Sequence, residues 1–160
     1  MEAKLTDKID IPHYTEGIFY ELQRTARVLK VHAEQFFMEL KLGITPEEYS
    51  TLDVIMCNPN ICQRDLARLL LKDRANTGRI LDKLEEKKFI VRALDTKNNR
   101  LVKMVTITDL GINTVKKINN AIIARFSGIS ACISPDEVES IKESLATFRK
   151  TVEQFIQNKI

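Results

Sequence analysis

The sequence has few of the residues from which most chemical sites are built. Its 160 residues include no tryptophan, five glycines, three cysteines and two histidines. The glycines never gather into a phosphate-binding loop, and both histidines, His13 and His32, lie near the start of the chain. We therefore expect no enzyme, because catalysis would need a nucleophile–base pair, paired carboxylates in a cleft or a phosphate loop.

The three cysteines, Cys57, Cys62 and Cys132, show no Cys-x-x-Cys spacing, so no zinc-finger pattern can be written with the two histidines. His32 and Glu34 make a poor start to a metal site, because residues two apart on a helix point to different faces. We expect three small buried cysteines, no cofactor and no metal. Redox sensing by one of these thiols stays an alternative, since Cys62 falls near a predicted helix start, where thiols are often reactive.

Long hydrophobic runs are also missing. No stretch approaches the roughly 20 apolar residues of a membrane helix, and the first residues lack the apolar run of a signal peptide. We therefore expect a cytoplasmic protein. Hydrophobic residues make up 44% and charged residues 29% of the chain, which is typical of a globular domain that closes its core without disulfides.

Positive charge is concentrated in the middle of the chain. The net charge is +3, but the segment from Gln63 to Lys103 contains twelve Lys or Arg and six Asp or Glu, a local balance of +6. The remainder carries −3. Because the basic segment also has strong structural periodicity, it indicates a folded protein that binds nucleic acid.

Apolar residues at steps of three and four predict two helices in the first third of the chain. The first runs from about Ile18 to Leu40, and Gly43 suits its end because glycine adopts left-handed backbone at the least cost. The second begins after Thr45, which forms a capping box with Glu48, and ends near residue 57. The stripe expected to be buried on the first helix is Leu22, Ala26, Leu29, Ala33, Phe36 and Leu40.

Two further helices are separated only by Leu71 and Lys72, which is the spacing of a helix-turn-helix. Asn60 and Gln63 are predicted to form the cap pair of the shorter, third helix, and Asp73 to cap the fourth. The predicted inner face of the fourth helix is Ala75, Ile80, Leu81 and Leu84. Its predicted outer face is Arg74, Asn76, Thr77 and Arg79.

After the fourth helix the pattern changes to β structure and then returns to helix. FIVRAL and LVKMVTI are β-branched or apolar, and the polar DTKNNR between them predicts a hairpin. A fifth helix opens at Thr108, and a capping box of Ser134 and Glu137 begins a last helix. The stripe of that last helix repeats as heptads, which favours packing against other helices: Val138, Ile141, Leu145, Phe148, Val152 and Phe155.

The start of the fourth helix carries side chains suited to DNA bases. Arginine grips guanine with two hydrogen bonds, asparagine does so for adenine, and threonine offers a methyl group to thymine. The predicted base-contacting residues are Arg74, Asn76, Thr77 and Arg79. The residues predicted to contact phosphates or the minor groove are Gln63, Arg64, Lys97, Asn98, Asn99 and Arg100.

The segment ICQRDLARLLLKDRANTGRILDKLEEKKFIVRALDTKNNRLVKMVTITDLG resembles the core of the MarR family of winged-helix regulators. Its most specific parts are DRANTGRILDKLEEK, similar to the family's recognition helix, and the stretch from Asp95 to Arg100, similar to its wing. The resemblance implies a homodimer, held by the first and last helices, on a pseudopalindromic operator. It also implies DNA contacts from the four helix residues and from Arg100, with Asp95 pairing within the wing.

The chain departs from the family pattern at two places. The family's wing commonly has an acid followed by two arginines, whereas here Asn98 and Asn99 precede the single Arg100, so we expect weaker wing binding. Lys88 stands where the family usually has a glycine, so we expect the turn from helix to strand to differ.

Many family members respond to small aromatic ligands in a crevice between the dimerisation arm and the DNA-binding lobe. By that resemblance, Phe19, Tyr20 and Arg27 on the first helix are candidate effector-binding residues. Peroxide-sensing relatives place a reactive cysteine early in the first helix, and this chain has none there.

The predicted fold is mainly α with a small β-hairpin wing, a single domain over 1–160. Residues 45–108 form the winged helix-turn-helix lobe, and 15–44 and 109–160 form a helical dimerisation region. We expect a ligand-responsive repressor that binds double-stranded DNA as a homodimer. The alternatives are a winged-helix adaptor that binds only protein, or a thiol-based redox sensor. An adaptor would have no use for the basic side chains of the fourth helix and hairpin.

Overall fold

The structure, a computed structural model, describes residues 13–97, 100–128 and 132–157. After a 3₁₀ turn at Tyr14–Glu16, the described helices are α1 (Ile18–Leu40), α2 (Pro46–Cys57), α3 (Gln63–Leu69), α4 (Arg74–Glu86), α5 (Asp109–Phe126) and α6 (Pro135–Gln157). The strands are β1 (Ile61–Cys62), β2 (Ile90–Lys97) and β3 (Arg100–Ile107). The order of the elements confirms the predicted winged helix-turn-helix. None of the helices in the described part of the chain combines the length and the hydropathy that a membrane span requires.

Helix α1 has the predicted bounds, but its end and its buried face differ from the prediction. Lys41, with φ 51°, takes the left-handed C-cap position, and Gly43, with φ 65°, lies two residues further on. Only Phe36 and Phe37 of α1 are buried. The rest of the predicted stripe is partly or fully exposed, because a single chain covers only the last turns of this helix.

The predicted cap of α2 is confirmed, whereas the predicted cap of α3 was wrong. The Thr45 hydroxyl accepts from the Glu48 N–H at 3.2 Å, and a Glu48 carboxylate oxygen accepts from the Thr45 N–H at 2.8 Å, which completes the predicted capping box. At α3 the N-cap is Cys62, with Gln63 as the first helical residue. Asn60 cannot cap α3 from a left-handed position two residues earlier, at φ 57°.

A short strand that the sequence did not reveal completes a three-stranded antiparallel sheet in the order β1-β3-β2. In β1, Ile61 pairs with Val105 and Cys62 with Met104. The hairpin register runs from Ile90 opposite Ile107 to Lys97 opposite Arg100. A two-residue strand has too little alternation to be seen in a sequence, so only its pairing partner defines it.

Helices α3 and α4 end in the same kind of turn. After α3, the Lys72 N–H donates to the Ala67 carbonyl at 3.0 Å, with Leu71 left-handed at φ 53°. After α4, the Phe89 N–H donates to the Leu84 carbonyl at 2.9 Å, with Lys88 at φ 62°. Glycine is the usual residue at this position because a Cβ makes left-handed backbone costly. With lysine in place of the usual glycine, the backbone at residue 88 is therefore strained in its left-handed conformation.

The chain divides into two compact units, one ending at Ile112 and one beginning at Asn113. In the first unit, the largest fully buried side chains are Leu52, Ile55, Leu66, Leu81, Leu84, Ile90 and Val105. In the second unit, Val115 and Ile118 of α5 are fully buried, whereas α6 buries none of its described residues. Ile141 and Leu145 of its predicted stripe are 50% and 47% exposed. The stripe is thus only partly covered in a single copy of the chain.

Candidate nucleic-acid interface

The first turn of α4 is fixed by Asp73. One carboxylate oxygen of Asp73 accepts from the Asn76 N–H, and the other accepts from the Asn76 amide group, both at 2.7 Å. The hydrogen bond from the Asn76 N–H is the main reason that the pKa of Asp73 lies below its usual value. The carboxylate therefore stays charged and holds the helix start, as predicted for this cap.

Three polar side chains project into solvent from the first two turns of α4: Arg74, Asn76 and Arg79. The guanidinium of Arg79 donates to the Asn76 amide oxygen over a long 3.5 Å contact. Asn76 is thus held between Asp73 and Arg79, with an oxygen whose weak contact is easily exchanged for a base edge. The arrangement can present two forked cations and one amide to the major groove of DNA.

Thr77 does not belong to this exposed set, and the predicted outer face of α4 is wrong at this residue. Its side chain is fully buried, and its hydroxyl donates to the Asp73 carbonyl at 2.9 Å. Thr77 precedes Ile80 and Leu81 by three and four residues, which places it on their face of the helix. Ala75, predicted to face inward, is exposed.

Gln63 and Arg64 lie at the start of α3, close to α4. A Cβ added at Gly78 would lie 3.4 Å from the side-chain nitrogen of Gln63, so the half-buried amide of Gln63 rests against α4. Arg64 is exposed, with its Nε 3.5 Å from an Asp65 oxygen. Of these two predicted phosphate contacts on α3, Arg64 is therefore the more accessible.

Arg92 fastens the hairpin to α4. Its guanidinium lies 2.5 Å from a Glu85 oxygen and 2.8 Å from an Asp82 oxygen, and its N–H donates to Glu85 at 3.0 Å. The side-chain hydrogen bond from Arg92 lowers the pKa of Glu85, and the same bond raises the pKa of Arg92. The pair sets where the wing stands relative to α4. Sequence reasoning missed it because the partners lie on different elements.

A groove of about 430 Å³ lies between the starts of α3 and α4 and strand β3. Its cationic lining residues are Arg64, Arg74 and Lys103, and none of the described residues that line it is acidic. Leu101 adds an apolar wall. The groove therefore continues the positive charge of α4 toward the wing.

The hairpin tip lies partly outside the described residues. Asn98 and Asn99 are not described, nor are the side chains of Lys97 and Arg100. The register pairs residue 95 with Val102 and residue 97 with residue 100, so positions 95 and 100 are diagonal neighbours. An oxygen of Asp95 accepts from the Thr96 N–H at 2.7 Å. The predicted pairing of Asp95 with Arg100 remains a prediction.

The cysteines differ in exposure. Cys62 is buried, and its thiol donates to Asp65 at 3.0 Å. Cys57 and Cys132 are exposed, so the expectation of three buried cysteines was wrong for these two. Cys57 is the last residue of α2, and Cys132 lies in the segment between α5 and α6.

The candidate effector residues lie on the first half of α1. Phe19 is 56% exposed and Arg27 is exposed, while the Tyr20 ring packs edge-on against Tyr14 at 5.8 Å. A separate hollow of about 670 Å³ lies between α1, α2 and α4, with Lys30 and Lys83 on its wall. None of the three candidates lines that hollow.

The carboxylate of Glu48, predicted only as part of the capping box, also forms a buried ion pair beneath α4 that the sequence did not reveal. Glu48 is only 3% exposed, and its two oxygens accept from the Lys87 ammonium at 2.8 and 2.9 Å. The bond joins the start of α2 to the end of α4. A buried charge needs such a partner, which makes this pair structural.

A helix-turn-helix followed by a hairpin, with a basic and capped second helix, defines a winged helix-turn-helix module. The MarR family model matches residues 44–102. The helix-turn-helix transcriptional regulator YkoM of Bacillus subtilis is 31% identical over 118 residues, which cover 72% of this chain and 75% of YkoM. The chain therefore belongs to the MarR family of transcriptional regulators.

Other similarities agree. A protein of Thauera aromatica named as a transcriptional regulator for its hcr operon is 32% identical over 95 residues, and the chain spans 57% of its length. The structure of the transcriptional regulator SlyA is 29% identical, with a TM-score of 0.71 over 86% of this chain and 94% of SlyA. MepR of S. aureus in complex with DNA is 22% identical, with a TM-score of 0.72 over 88% of this chain and 99% of MepR, and supports the fold.

Proposed function

We propose that the protein is a sequence-specific regulator that binds a pseudopalindromic double-stranded DNA operator as a homodimer in the cytoplasm. The observation that carries the proposal is the exposed trio Arg74, Asn76 and Arg79 on the first two turns of the capped helix α4. Their guanidinium and amide groups match the hydrogen-bonding edges of guanine and adenine. The cationic groove beside them suits phosphates.

The homodimer is supported by uncovered apolar side chains on the two longest helices. On α1, Ile18, Phe19 and Leu29 are 56%, 56% and 59% exposed. On α6, Phe155 and Ile156 are 62% and 54% exposed. Monomeric proteins rarely leave contiguous surfaces of this kind open to water. A second copy of the chain covers such a face at low cost, because one patch then pairs with itself.

We further propose that the protein is a ligand-responsive repressor. Among the structures of similar fold, the transcriptional repressor CouR was solved with p-coumaroyl-CoA bound, at 21% identity and a TM-score of 0.71. Phe19, Tyr20 and Arg27 are the proposed effector-binding residues, since an aromatic ring and a guanidinium suit an aromatic anion. Loss of DNA affinity when candidate aromatic acids are added would support this role.

The test of DNA binding starts from duplexes that the protein itself selects from a random pool. Replacing Arg74 or Asn76 by alanine should weaken binding to the selected duplex by roughly 1–3 kcal/mol and relax base preference. Lys117→Ala, which removes an exposed cation of α5, is the matched control and should bind as the parent does. If Arg74→Ala and Asn76→Ala keep the affinity and selectivity of the parent, α4 is not the reading helix.

The tip of the wing has its own test. If Arg100 meets phosphates, Arg100→Ala should reduce the slope of log K against log salt by about 0.9 for each phosphate that the arginine neutralises. If Arg100 contacts a base or Asp95, its removal should weaken binding with little change in slope. Lys97→Ala is measured beside it. Unchanged affinity in both variants would mean that the tip does not touch DNA.

A further inference from the structure

One face of the hairpin continues the apolar pattern of the core beyond the point where the core ends. In the register, residues 90, 92, 94 and 96 share a face with residues 101, 103, 105 and 107. On this face Ile90 and Val105 are fully buried, and Arg92 bonds to α4. Further toward the tip, Leu94 and Leu101 are 64% and 71% exposed. The face of the wing that contacts α4 therefore carries two exposed leucines toward the tip.

Lys103 stands between these leucines, directly opposite Leu94 and two residues from Leu101. It lines the cationic groove together with Leu101, Arg64 and Arg74. Strand β1 pairs with β3 only at Met104 and Val105, so β1 ends before the part of β3 that lines the groove. The groove wall is therefore both apolar and positively charged.

The DNA of the proposed function matches this mixture of apolar and cationic side chains. A DNA strand alternates an anionic phosphate with an apolar deoxyribose, and both repeat whatever the base sequence. We propose that the groove seats one strand of the DNA backbone, with deoxyribose against Leu101 and phosphates against Arg64 and Lys103. The proposal rests on DNA binding and adds a contact that the wing makes without its tip.

Charge complementarity favours DNA over a second protein surface as the occupant. The described residues that line the groove include three cations and no acid, whereas the hollow between α1, α2 and α4 is lined by three lysines and three glutamates. An apolar contact between leucine and sugar needs no unstacking of bases. It therefore contributes to affinity on any duplex.

The test compares Leu101→Thr with Val91→Thr. Val91 is 54% exposed and lies on the opposite face of the same hairpin, so it is a matched control. Threonine keeps the strand propensity of both sites while replacing the apolar tip by a hydroxyl. Fluorescence anisotropy is measured with the selected duplex and with a random-sequence duplex, each at several salt concentrations.

The proposal expects Leu101→Thr to weaken binding to both duplexes by about tenfold for each chain of the dimer, as expected when a leucine side chain is no longer buried against the sugar. The salt slope and the ratio of the two affinities should not change. Lys103→Ala should lower the slope by about 0.9 for each chain of the dimer whose Lys103 neutralises a phosphate. Val91→Thr should bind as the parent does.

Two outcomes overturn the proposal. In the first, Leu101→Thr keeps the parent's affinity for both duplexes. In the second, it alters the ratio between the two affinities, which would point to a base contact. Neither outcome affects the proposed function, which fails separately if the parent selects no sequence from the random pool. Circular dichroism melting of each variant shows whether a change in affinity reflects a loss of fold.

Discussion

Helices α4 and α6 both carry apolar stripes at helical spacing, and they differ in what covers them. Helix α4 has 13 residues and buries four of them, against the other elements of its lobe. Helix α6 has 23 residues and buries none of those described. The lobe that holds the proposed DNA-binding surface is thus complete in one chain. The apolar stripe of α6 has the composition of a core but is only partly covered, and the proposed homodimer would account for this difference.

The largest expected effect on stability comes from creating a cavity in the core of the lobe. Leu84 is fully buried, so Leu84→Ala should lower the free energy of unfolding by about 2–5 kcal/mol through reduced burial and a cavity. Leu69 in the same lobe is 56% exposed and provides the control. Leu69→Ala should change the free energy of unfolding by about 0.5 kcal/mol or less. Urea unfolding measures both. Equal effects would contradict the lobe's division into core and surface.

The next effect concerns strain in the turn after α4. Lys88 is left-handed at φ 62°, so Lys88→Gly should raise the free energy of unfolding by about 1 kcal/mol. Lys83→Gly makes the same replacement inside α4 and should lower the free energy of unfolding by about 1 kcal/mol. Thermal melting of the two variants should therefore shift in opposite directions. A destabilised Lys88→Gly would show that the turn is not strained by lysine.

The smallest effect is a dependence on pH at the link between α4 and the wing. Because Arg92 lowers the pKa of Glu85 in the folded protein, the link stabilises the fold above the ordinary glutamate pKa of about 4.3. That contribution disappears as the pH falls through the lower folded value. The pair is partly exposed, so we expect a difference of about 1 kcal/mol or less between the parent and Glu85→Gln.

Melting temperatures at pH 7 and pH 3 measure this difference. The parent should melt above Glu85→Gln at pH 7, and the gap should narrow at pH 3. A gap that is the same at both values would mean that Glu85 is not ionised in the link.

Local signals predicted much of the fold. The bounds of α1, the capping box of Thr45 and Glu48 and the cap at Asp73 all follow from spacing and side-chain chemistry within a few residues. The order of the elements followed from the change of period after Phe89. These features need no knowledge of distant contacts.

What the sequence did not predict depends on partners far along the chain. The salt bridge of Glu48 with Lys87 spans 39 residues, and β1 exists only through its pairing with β3. Thr77 is a different case. Its place three and four residues before Ile80 and Leu81 indicates the buried face of the helix, whereas the chemistry of its side chain favours a base contact, and in the structure the helical position decides.

The most direct test of the account is sedimentation equilibrium of the protein, alone and with its selected duplex, beside Leu145→Asp. Leu145 is 47% exposed on α6, and a charge there should oppose pairing of the uncovered faces. We predict a parent of twice the 18.4 kDa chain mass at micromolar concentration and two chains on each duplex. Leu145→Asp should sediment as a folded single chain with weakened DNA binding. A parent of 18.4 kDa that binds the duplex as one chain would contradict the account.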